Sequence, residues 1–166
     1  MAGPGNQRLR ELDRPWRDPE LLLLTGFGSG LVPKAPGTAG SVAALAIWWW
    51  LLAPLGWLPQ LIVAAAVFVL GLWLSHRASA RHGIGDDPAI VLDEFVGLWV
   101  TLLGAPAEPL IAIAGFLLFR LFDIWKVGPV SYADRHVHGA LGVMLDDLLA
   151  GVVALGVLQL ALFVIR

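Results

Sequence analysis

The chain has 166 residues, of which 58% are hydrophobic and 14% are charged, whereas soluble domains are about 45–50% apolar and about 25% charged. A domain of this length has too little interior to bury so much apolar surface. The composition therefore favours a membrane protein over a soluble helical protein that hides the excess in a large oligomer. The net charge of -2 excludes the basic surface of a nucleic-acid-binding protein, and the absence of cysteine excludes a cysteine nucleophile.

Residues 1–20 predict a cytosolic tail that is partly disordered, because they mix four arginines with four acidic residues and lack the apolar core of a signal peptide. Residues 21–166 are predicted to form one membrane-embedded domain. Its first segment, 21–33, is too short and too rich in glycine to cross a bilayer, which favours a surface or re-entrant loop.

Five apolar stretches follow, and each approaches the roughly 20 residues that cross a bilayer as a helix. The first two come from a run between Thr38 and His76 that contains no Asp, Glu, Lys or Arg and is broken by prolines and a glycine at 54–59. The sequence therefore predicts an all-α fold, a multi-span helical membrane bundle with about five transmembrane helices. Their approximate bounds are 40–58, 60–76, 89–105, 109–125 and 143–165.

Basic residues between these stretches predict the orientation, since cytosolic loops carry the excess of Lys and Arg. The loops 77–88 and 126–142 contain basic residues, as does the tail, whereas the loops 54–59 and 104–109 contain none. We therefore expect the polar clusters, and with them the active site, at the cytoplasmic face. The basic residues are Arg8, Arg10, Arg14, Arg17, Lys34, Arg77, Arg81, Lys126 and Arg135, and only Arg166 falls on the far side.

Acidic residues occur where the third stretch begins. Asp87 and Pro88 are typical of the N-cap and first residue of a helix, which would place Asp93 about 9 Å inside that helix. An ionised carboxylate at that depth is costly and indicates a functional site. The alternative is that Asp93 or Glu94 reaches the interface or pairs with Arg120.

Two further polar groups belong to the fourth and fifth stretches. Arg120 and Asp123 are three residues apart on one helix face, with Lys126 three further on, which fits either an ion pair within the helix or a phosphate clamp beside a metal ligand. Asp146 and Asp147 lie in the opening turns of the last stretch. Adjacent helical residues point about 100° apart, so one of these two is expected to face a metal directly.

The carboxylates predict a Mg²⁺ site, because hard oxygen ligands suit this ion. They come from three predicted helices at one depth, and the clusters supply only three cations beside them, so positive charge is deficient. The expected ligands are Asp93, Glu94, Asp123, Asp146 and Asp147. The expected catalytic residues are Asp93, Asp123, Asp146 and Arg120.

A glycine-rich segment before the first span completes a candidate phosphate site, since glycines let backbone N–H groups approach an anion. Thr38 is expected to cap the first helix, and Lys34 supplies charge. The segment is not a Walker A loop, because Ala35 follows Lys34, and taken alone it fits a glycine-rich interfacial loop better. The expected substrate contacts are Gly28, Ser29, Lys34, Thr38, Lys126 and Arg135.

Four ordered blocks stand out within about residues 21–155. They are Gly26-Phe-Gly-Ser-Gly30 with Ala35-Pro-Gly-Thr38, Asp87-Pro-Ala with Asp93-Glu94, Phe119-Arg-Leu-Phe-Asp-Ile124 with Lys126, and Asp134-Arg-His with Gly142-Val-Met-Leu-Asp-Asp-Leu148. Together they resemble the phosphatidylglycerophosphatase A family. The departures from the family pattern are Val127 and Gly128 after Lys126, Leu92 where Trp is frequent, and His138 where a basic residue is frequent.

The resemblance implies a helical, Mg²⁺-dependent phosphomonoesterase of the bacterial cytoplasmic (inner) membrane that converts phosphatidylglycerophosphate to phosphatidylglycerol. A phospholipid within the membrane is then the partner, and neither nucleic acid nor a protein partner is indicated. The nucleophile stays open between water and an aspartate. The histidines are expected to be solvated, with general-acid duty as the alternative for His138.

The rival function is a small membrane transporter or channel with a carboxylate ion site. Such a site should lie near the middle of the membrane, whereas the carboxylates here are predicted at one face. A transferase that joins a nucleotide-activated lipid to an alcohol is a second rival, but its Asp-Gly-x-x-Ala-Arg pattern does not occur in the chain. The position of the carboxylates therefore favours the phosphatase.

Overall fold

The computed structural model describes residues 9, 12, 15–84 and 87–165, apart from the side chains of residues 129 and 134. Every regular element in these ranges is helical, which confirms the predicted all-α class. Most of the predicted tail, and Arg166, lie outside the described residues. The α-helices are α1 (Pro19–Leu24), α2 (Pro36–Ile47), α3 (Trp57–His82), α4 (Leu92–Thr101), α5 (Pro109–Trp125), α6 (Pro129–His136) and α7 (Ala140–Ile165). The shorter elements are the 3-10 turns Pro15–Arg17 and Ser29–Leu31 and the π-helical segment Trp48–Leu52, which continues α2.

The short helix α4 forms the centre of the bundle. All ten of its residues are buried, and it packs against α2, α3, α5 and α7. Ten residues rise about 15 Å along a helix, half of the roughly 30 Å thickness of the hydrocarbon layer. The helix predicted at 89–105 is therefore shorter than expected at both ends. Its burial and its contacts with four other helices make it the core of the bundle.

Helices α3 and α7 have 26 residues each, and in the described part of the chain they are the two helices long and apolar enough to cross a membrane. Their most apolar windows have mean hydropathies of 2.1 and 2.7, yet only 28% and 22% of those windows is buried inside the protein. Most of their apolar side chains thus face outward, where a soluble protein would expose large apolar patches to water. This surface is suited to contact with lipid.

Three segments differ from the structure that the sequence predicts. Residues 21–33, predicted as a surface or re-entrant loop, contain most of α1 and bury two of its leucines. Helix α3 continues past the predicted span, so Arg77 and Arg81 lie on its last turns, where they pair with Glu20 of α1 at 2.7 and 3.1 Å. The predicted loop 126–142 contains α6.

The two loops that lack basic residues meet at one end of the bundle. The Gln60 side chain donates to the carbonyl oxygens of Leu52 and Leu55 at 3.1 and 3.0 Å, and it accepts from the Gly104 N–H at 3.0 Å. These loops follow the C-terminal ends of α2 and α4. The acidic residues near the start of α4, the end of α5 and the start of α7 therefore lie at the opposite end, which we call the acidic pole.

Glycines bring α4 and α7 into close contact. A Cβ atom at Gly151 would overlap the Gly97 carbonyl, and a Cβ atom at Gly97 would overlap the Phe119 ring and lie 2.7 Å from the Asp147 carbonyl oxygen. Because neither position has room for a side chain, the two helix backbones pack directly on each other. This contact holds Asp147 of α7 near the acidic first turn of α4.

Candidate active site

Two of the predicted site residues occupy the first turn of α4. The helix begins at Leu92 with Val91 as its N-cap, so Asp93 and Glu94 are its second and third residues. The sequence placed Asp93 deeper, six residues beyond a cap at Asp87. The N-terminal end of a helix carries partial positive charge, so it favours carboxylates at these two positions.

Asp87 closes a turn and does not cap α4. Its carboxylate accepts hydrogen bonds from the N–H groups of Ala89 and Leu9, both at 2.8 Å. The helix starts later than predicted because the Val91 N–H donates to the Leu24 carbonyl at 2.9 Å, a contact with a distant part of the chain. The predicted N-cap at Asp87 is therefore wrong.

Arg120 of α5 joins carboxylates from two helices. Its Nη1 atom lies 2.8 Å from Asp123 Oδ2 and 2.5 Å from Glu94 Oε2. The first distance confirms the contact predicted from the spacing of three residues, and the second shows that Glu94 also pairs with Arg120. Arg120 Nε is buried and has no hydrogen-bond partner among the described residues, so one donor of this guanidinium is left unsatisfied there.

Lys126 connects the end of α5 to α7. It adopts a left-handed backbone conformation with φ of 46°, which is uncommon for a residue other than glycine and often occurs at functional sites. Its Nζ atom lies 2.7 Å from Asp146 Oδ2. Asp146 therefore has a cation partner from a different helix.

Asp93 and Asp147 are buried without an ion pair in the part of the chain that the structure describes. Asp93 Oδ1 accepts the Glu94 N–H at 2.9 Å. The charges of Asp93, Glu94, Asp123 and Asp146 all repel that of Asp147. Buried like charges are costly unless a cation compensates them, so these two residues identify where positive charge is missing.

A cavity of about 320 Å³ opens beside these carboxylates, and we call it the acidic cavity. Asp93, Asp146 and Asp147 line it, together with Lys126 from the end of α5 and His138 from the loop between α6 and α7. Both aspartates of α7 contribute to its wall, and which of the two would face a metal directly stays a prediction. The cavity combines carboxylates that suit a cation with a lysine that suits an anion.

The glycine-rich segment packs against α4 through two of its glycines. A Cβ atom at Gly26 would lie 2.7 Å from the Phe95 ring, and one at Gly30 would overlap the Ala89 carbonyl. The N–H groups of Gly28 and Ser29 donate to carbonyl oxygens of the same segment at 3.1 and 3.2 Å. The segment therefore forms a self-bonded turn, and contact of Gly28 and Ser29 with substrate stays a prediction.

The other predicted substrate contacts are exposed side chains near the acidic pole. Thr38 is the third residue of α2, which begins at Pro36 after Ala35 in a left-handed conformation, so the predicted N-cap at Thr38 is wrong. Lys34 is exposed just before this helix, and Arg135 is exposed on α6, which packs against α7. Their contact with substrate is likewise a prediction.

Sequence reasoning assigned the start of α2 to the site through Thr38 but missed Ser41, one turn further along the helix. The Ser41 hydroxyl donates to Glu94 Oε2 at 2.5 Å and lies 3.5 Å from Arg120 Nη1. A Cβ atom at Gly37 would overlap the Glu94 carboxylate and lie 3.4 Å from Arg120 Nη1, so only glycine allows this close approach. The sequence signal for this contact was a serine within a predicted span that is otherwise apolar beyond Thr38.

The donor chemistry of this site fits Mg²⁺, although the described Asp, Glu and His side chains do not form a closed set of three or more ligands. Glu94, Asp123 and Asp146 are turned toward the cations Arg120 and Lys126. Five carboxylates thus share two cations in the described part of the site. Carboxylate oxygens are the ligands that Mg²⁺ takes from proteins, usually with retained waters and substrate phosphate.

Comparison with known proteins gives consistent results. The family described as phosphatidylglycerophosphatase A matches residues 22–162. The chain is 41% identical over 149 residues to the phosphatidylglycerophosphatase A of Escherichia coli K12, which covers 89% of this chain and 84% of the relative. It is 43% identical over 138 residues to the protein of the same name from Haemophilus influenzae, covering 82% and 85%.

A third relative has a different name. A Bacteroides thetaiotaomicron protein, provisionally named a phosphatidylinositol-3-phosphatase, is 40% identical over 153 residues, covering 87% of this chain and 94% of the relative. No solved structure matches the chain.

Proposed function

Because the chain belongs to the phosphatidylglycerophosphatase A family, we propose that it removes the terminal phosphate of phosphatidylglycerophosphate at the acidic cavity, with Mg²⁺ as cofactor. One observation carries this proposal. Carboxylates from α4, α5 and α7 converge at one pole of an apolar bundle, where Arg120 and Lys126 are the cations paired with them in the described residues. A divalent cation would supply the positive charge that the carboxylates lack, and a phosphomonoester would supply an anion for Arg120 and Lys126 to bind.

The carboxylates that would hold Mg²⁺ are Asp93, Glu94, Asp123, Asp146 and Asp147. When bound, Mg²⁺ would supply positive charge that neutralises phosphate oxygens and so favours attack of a nucleophile, water or an aspartate, on the phosphorus. The described ion pairs show how the chain keeps three of these carboxylates in place before a ligand arrives. Arg120 holds Glu94 and Asp123, while Lys126 holds Asp146.

The same two cations are suited to bind the substrate phosphate. Arg120 has an unsatisfied Nε donor beside its pairs with Glu94 and Asp123, and a guanidinium can hold two phosphate oxygens at once. Lys126 lines the acidic cavity and acts as a point charge. We assign the exposed Lys34, Thr38 and Arg135, and the turn at residues 28 and 29, to the surrounding contacts with the lipid head group.

Ser41 acts in this proposal as a positioning residue, since it fixes Glu94 beside Arg120. We expect Ser41→Ala to lower kcat by about tenfold or more, because a hydrogen bond to a charged group contributes about 1.5–3 kcal/mol. The KM should change less, since the alanine leaves both charged groups in place. Ser79→Ala, at an exposed serine of α3, is the matched control. An unchanged kcat in Ser41→Ala would remove Ser41 from the site.

The location of the carboxylates disfavours the transporter alternative. They lie at one pole of the bundle, at the start of α4, the end of α5 and the start of α7. A transport site is expected near the middle of the membrane. Under this proposal the acidic pole lies at a membrane surface, where the phosphate group of a lipid can reach it.

We further propose that the chain is a multi-pass protein of the bacterial cytoplasmic membrane, with the acidic pole facing the cytosol. The two long helices α3 and α7 support a membrane location. Helix α2 with its π-helical continuation, the buried helix α4, and α5 would complete the five passes that the sequence predicts. The basic residues at the acidic pole, such as Lys34 and Lys126, support the cytosolic orientation.

Single-cysteine variants test this orientation, and the chain has no native cysteine to interfere. Ala80 is exposed near the C-terminal end of α3, and Ala107 is exposed in the loop before α5. In intact cells, an impermeant thiol reagent is expected to label Ala107→Cys and to spare Ala80→Cys until the membrane is opened. Labelling of Ala80→Cys in intact cells would contradict the proposed orientation.

The experiment that tests the reaction compares two lipids, because one relative has a name that refers to phosphatidylinositol 3-phosphate. Purified protein receives phosphatidylglycerophosphate or phosphatidylinositol 3-phosphate in detergent micelles, and released phosphate is measured. We expect kcat/KM for phosphatidylglycerophosphate to exceed that for the other lipid by about tenfold or more, a difference of about 1.4 kcal/mol in transition-state binding. A preference for the inositol lipid would contradict the proposed substrate.

A further inference from the structure

An apolar groove with a volume of about 380 Å³ lies between α5 and the face formed by α2 and its π-helical continuation. Val42, Ala46 and Trp50 line one wall, and Ala112 and Ile113 line the other. On the α2 side these residues recur every four positions, so they form one continuous stripe along the helix. From Val42 to Trp50 the stripe rises about 12 Å, at 1.5 Å per residue.

This groove leads toward the phosphate-binding end of the proposed site. Thr38 lies one turn before Val42 on the same face of α2, and its side chain is exposed. On α5, Leu117 and Arg120 follow Ile113 by four and seven residues and so continue the same face, with Leu117 exposed. At this end Gly37 and Ser41 contact the Glu94–Arg120 pair. The apolar stripe of α2 therefore ends beside Thr38, and the facing side of α5 ends at the cation Arg120.

We infer that this groove binds an acyl chain of the substrate lipid and thereby places the phosphate-bearing head group at Arg120 and the start of α2. This inference rests on the proposed function, because it assigns the anionic end of the groove to the reacting lipid. Helical periodicity continues the two walls of the groove toward the charged site, from Val42 to Thr38 on α2 and from Ile113 to Arg120 on α5. Such an arrangement matches a molecule that has a hydrocarbon chain at one end and a phosphomonoester at the other.

A second apolar cavity provides the comparison. It has a volume of about 280 Å³, lies between α3 and α4, and is lined by Ala65, Phe68 and Val96 among others. Toward the acidic pole, the space beside Gly71 of α3 is filled by the buried side chain of Met144, whose Sδ lies 2.8 Å from the position of an added Cβ. Met144 thus fills the space on α3 between this cavity and the acidic pole, whereas the walls of the first groove continue through Thr38 and Leu117. The two cavities thus differ in their connection to the charged end and not in their polarity.

Filling each cavity with one tryptophan tests the inference. Ala46 and Ala65 are both exposed alanines in apolar helices, so Ala46→Trp and Ala65→Trp form a matched pair. The full-length protein is purified, and phosphate release is measured with dipalmitoyl phosphatidylglycerophosphate in mixed micelles. The second substrate is the deacylated head group, glycerophosphoglycerophosphate, which has no chain to place in a groove.

Ala46→Trp is expected to raise the KM for the dipalmitoyl lipid by about tenfold or more, since each buried methylene contributes about fourfold to affinity. Its turnover of the deacylated substrate should stay within about twofold of wild type, and Ala65→Trp should match wild type on both substrates. An unchanged KM in Ala46→Trp would mean that bulk lipid or a second copy of the chain covers the groove, and a second copy would also show as a changed oligomeric mass.

Two other results with these variants would also overturn the inference. If Ala65→Trp raised the KM for the dipalmitoyl lipid as much as Ala46→Trp, filling of any apolar cavity would disturb the lipid. If Ala46→Trp lowered phosphate release from both substrates equally, the effect would be on the head group. A wild-type protein that releases phosphate from neither substrate would refute the proposed function itself, and the inference with it.

Discussion

Replacement of Asp123 by asparagine is expected to reduce phosphate release from phosphatidylglycerophosphate by on the order of a hundredfold or more, while the protein stays folded and inserted in the membrane. Asp123 forms an ion pair with Arg120 at 2.8 Å. Its negative charge also repels the carboxylates of Asp93, Asp146 and Asp147. Asparagine keeps the size and one acceptor oxygen, but it lacks the charge that a hard cation requires. Arg120 keeps its pair with Glu94, so the helices should remain together.

The control for Asp123→Asn is Glu108→Gln. Glu108 is exposed at the start of α5, makes no side-chain capping hydrogen bond, and lies at the end of the bundle away from the acidic pole. The substitution removes the same charge by the same chemistry, so its activity should match wild type. Wild-type turnover by Asp123→Asn at saturating Mg²⁺ would reduce Asp123 to a structural ion-pair partner of Arg120.

Asp147→Asn is expected to separate stability from activity. Asp147 is buried, has no ion pair among the described residues, and is repelled by four other carboxylates. Removal of its charge should therefore raise the melting temperature of the metal-free protein, whereas it should lower turnover by on the order of a hundredfold or more. Trp fluorescence during heating in EDTA and phosphate release in Mg²⁺ give the two measurements.

The combination of outcomes decides what Asp147 does. If Asp147 is structural, Asp147→Asn should lower stability and activity together, because the close contact of Gly97 with Gly151 holds this residue against α4. A residue kept for a cation should gain stability and lose activity. A lower melting temperature for Asp147→Asn in EDTA would contradict the view that its charge is uncompensated.

The convergence of the carboxylates was predictable from the sequence because charged residues are rare in apolar helices. Asp93, Asp123, Asp146 and Asp147 each interrupt an apolar stretch, and such residues seek one another or a ligand. The pair of Arg120 with Asp123 followed from their spacing of three residues on one helix. Their catalytic and metal-binding roles stay predictions, which the substitutions above address.

The start of α4 was not predictable because distant contacts determine it. Local sequence favours a helix from Pro88, yet the carboxylate of Asp87 is held by the Leu9 N–H and the Val91 N–H is held by the Leu24 carbonyl. These bonds join parts of the chain more than 60 residues apart. The short length of α4 has the same origin, since a helix enclosed by neighbours need not match the thickness of a bilayer.

The contacts between helices at the site were also beyond the sequence. Lys126 and Asp146 are 20 residues apart, and Ser41 and Glu94 are 53 apart, so no helical periodicity relates them. The packing of α5 against α7 brings the first pair together, and the packing of α2 against α4 brings the second pair together. The same packing creates the groove between α2 and α5, whose two walls lie in separate apolar stretches of the sequence.

The most direct test of the central claim measures phosphate release from phosphatidylglycerophosphate by the purified protein, with Mg²⁺ and then with excess EDTA. We expect rapid release with Mg²⁺, a loss of activity in EDTA, and recovery when Mg²⁺ is restored, because the proposal assigns a divalent cation to the five carboxylates, whose negative charge would otherwise repel a phosphate. Release at the same rate in EDTA would contradict the assignment of these carboxylates to a metal. No release under either condition would contradict the proposed reaction.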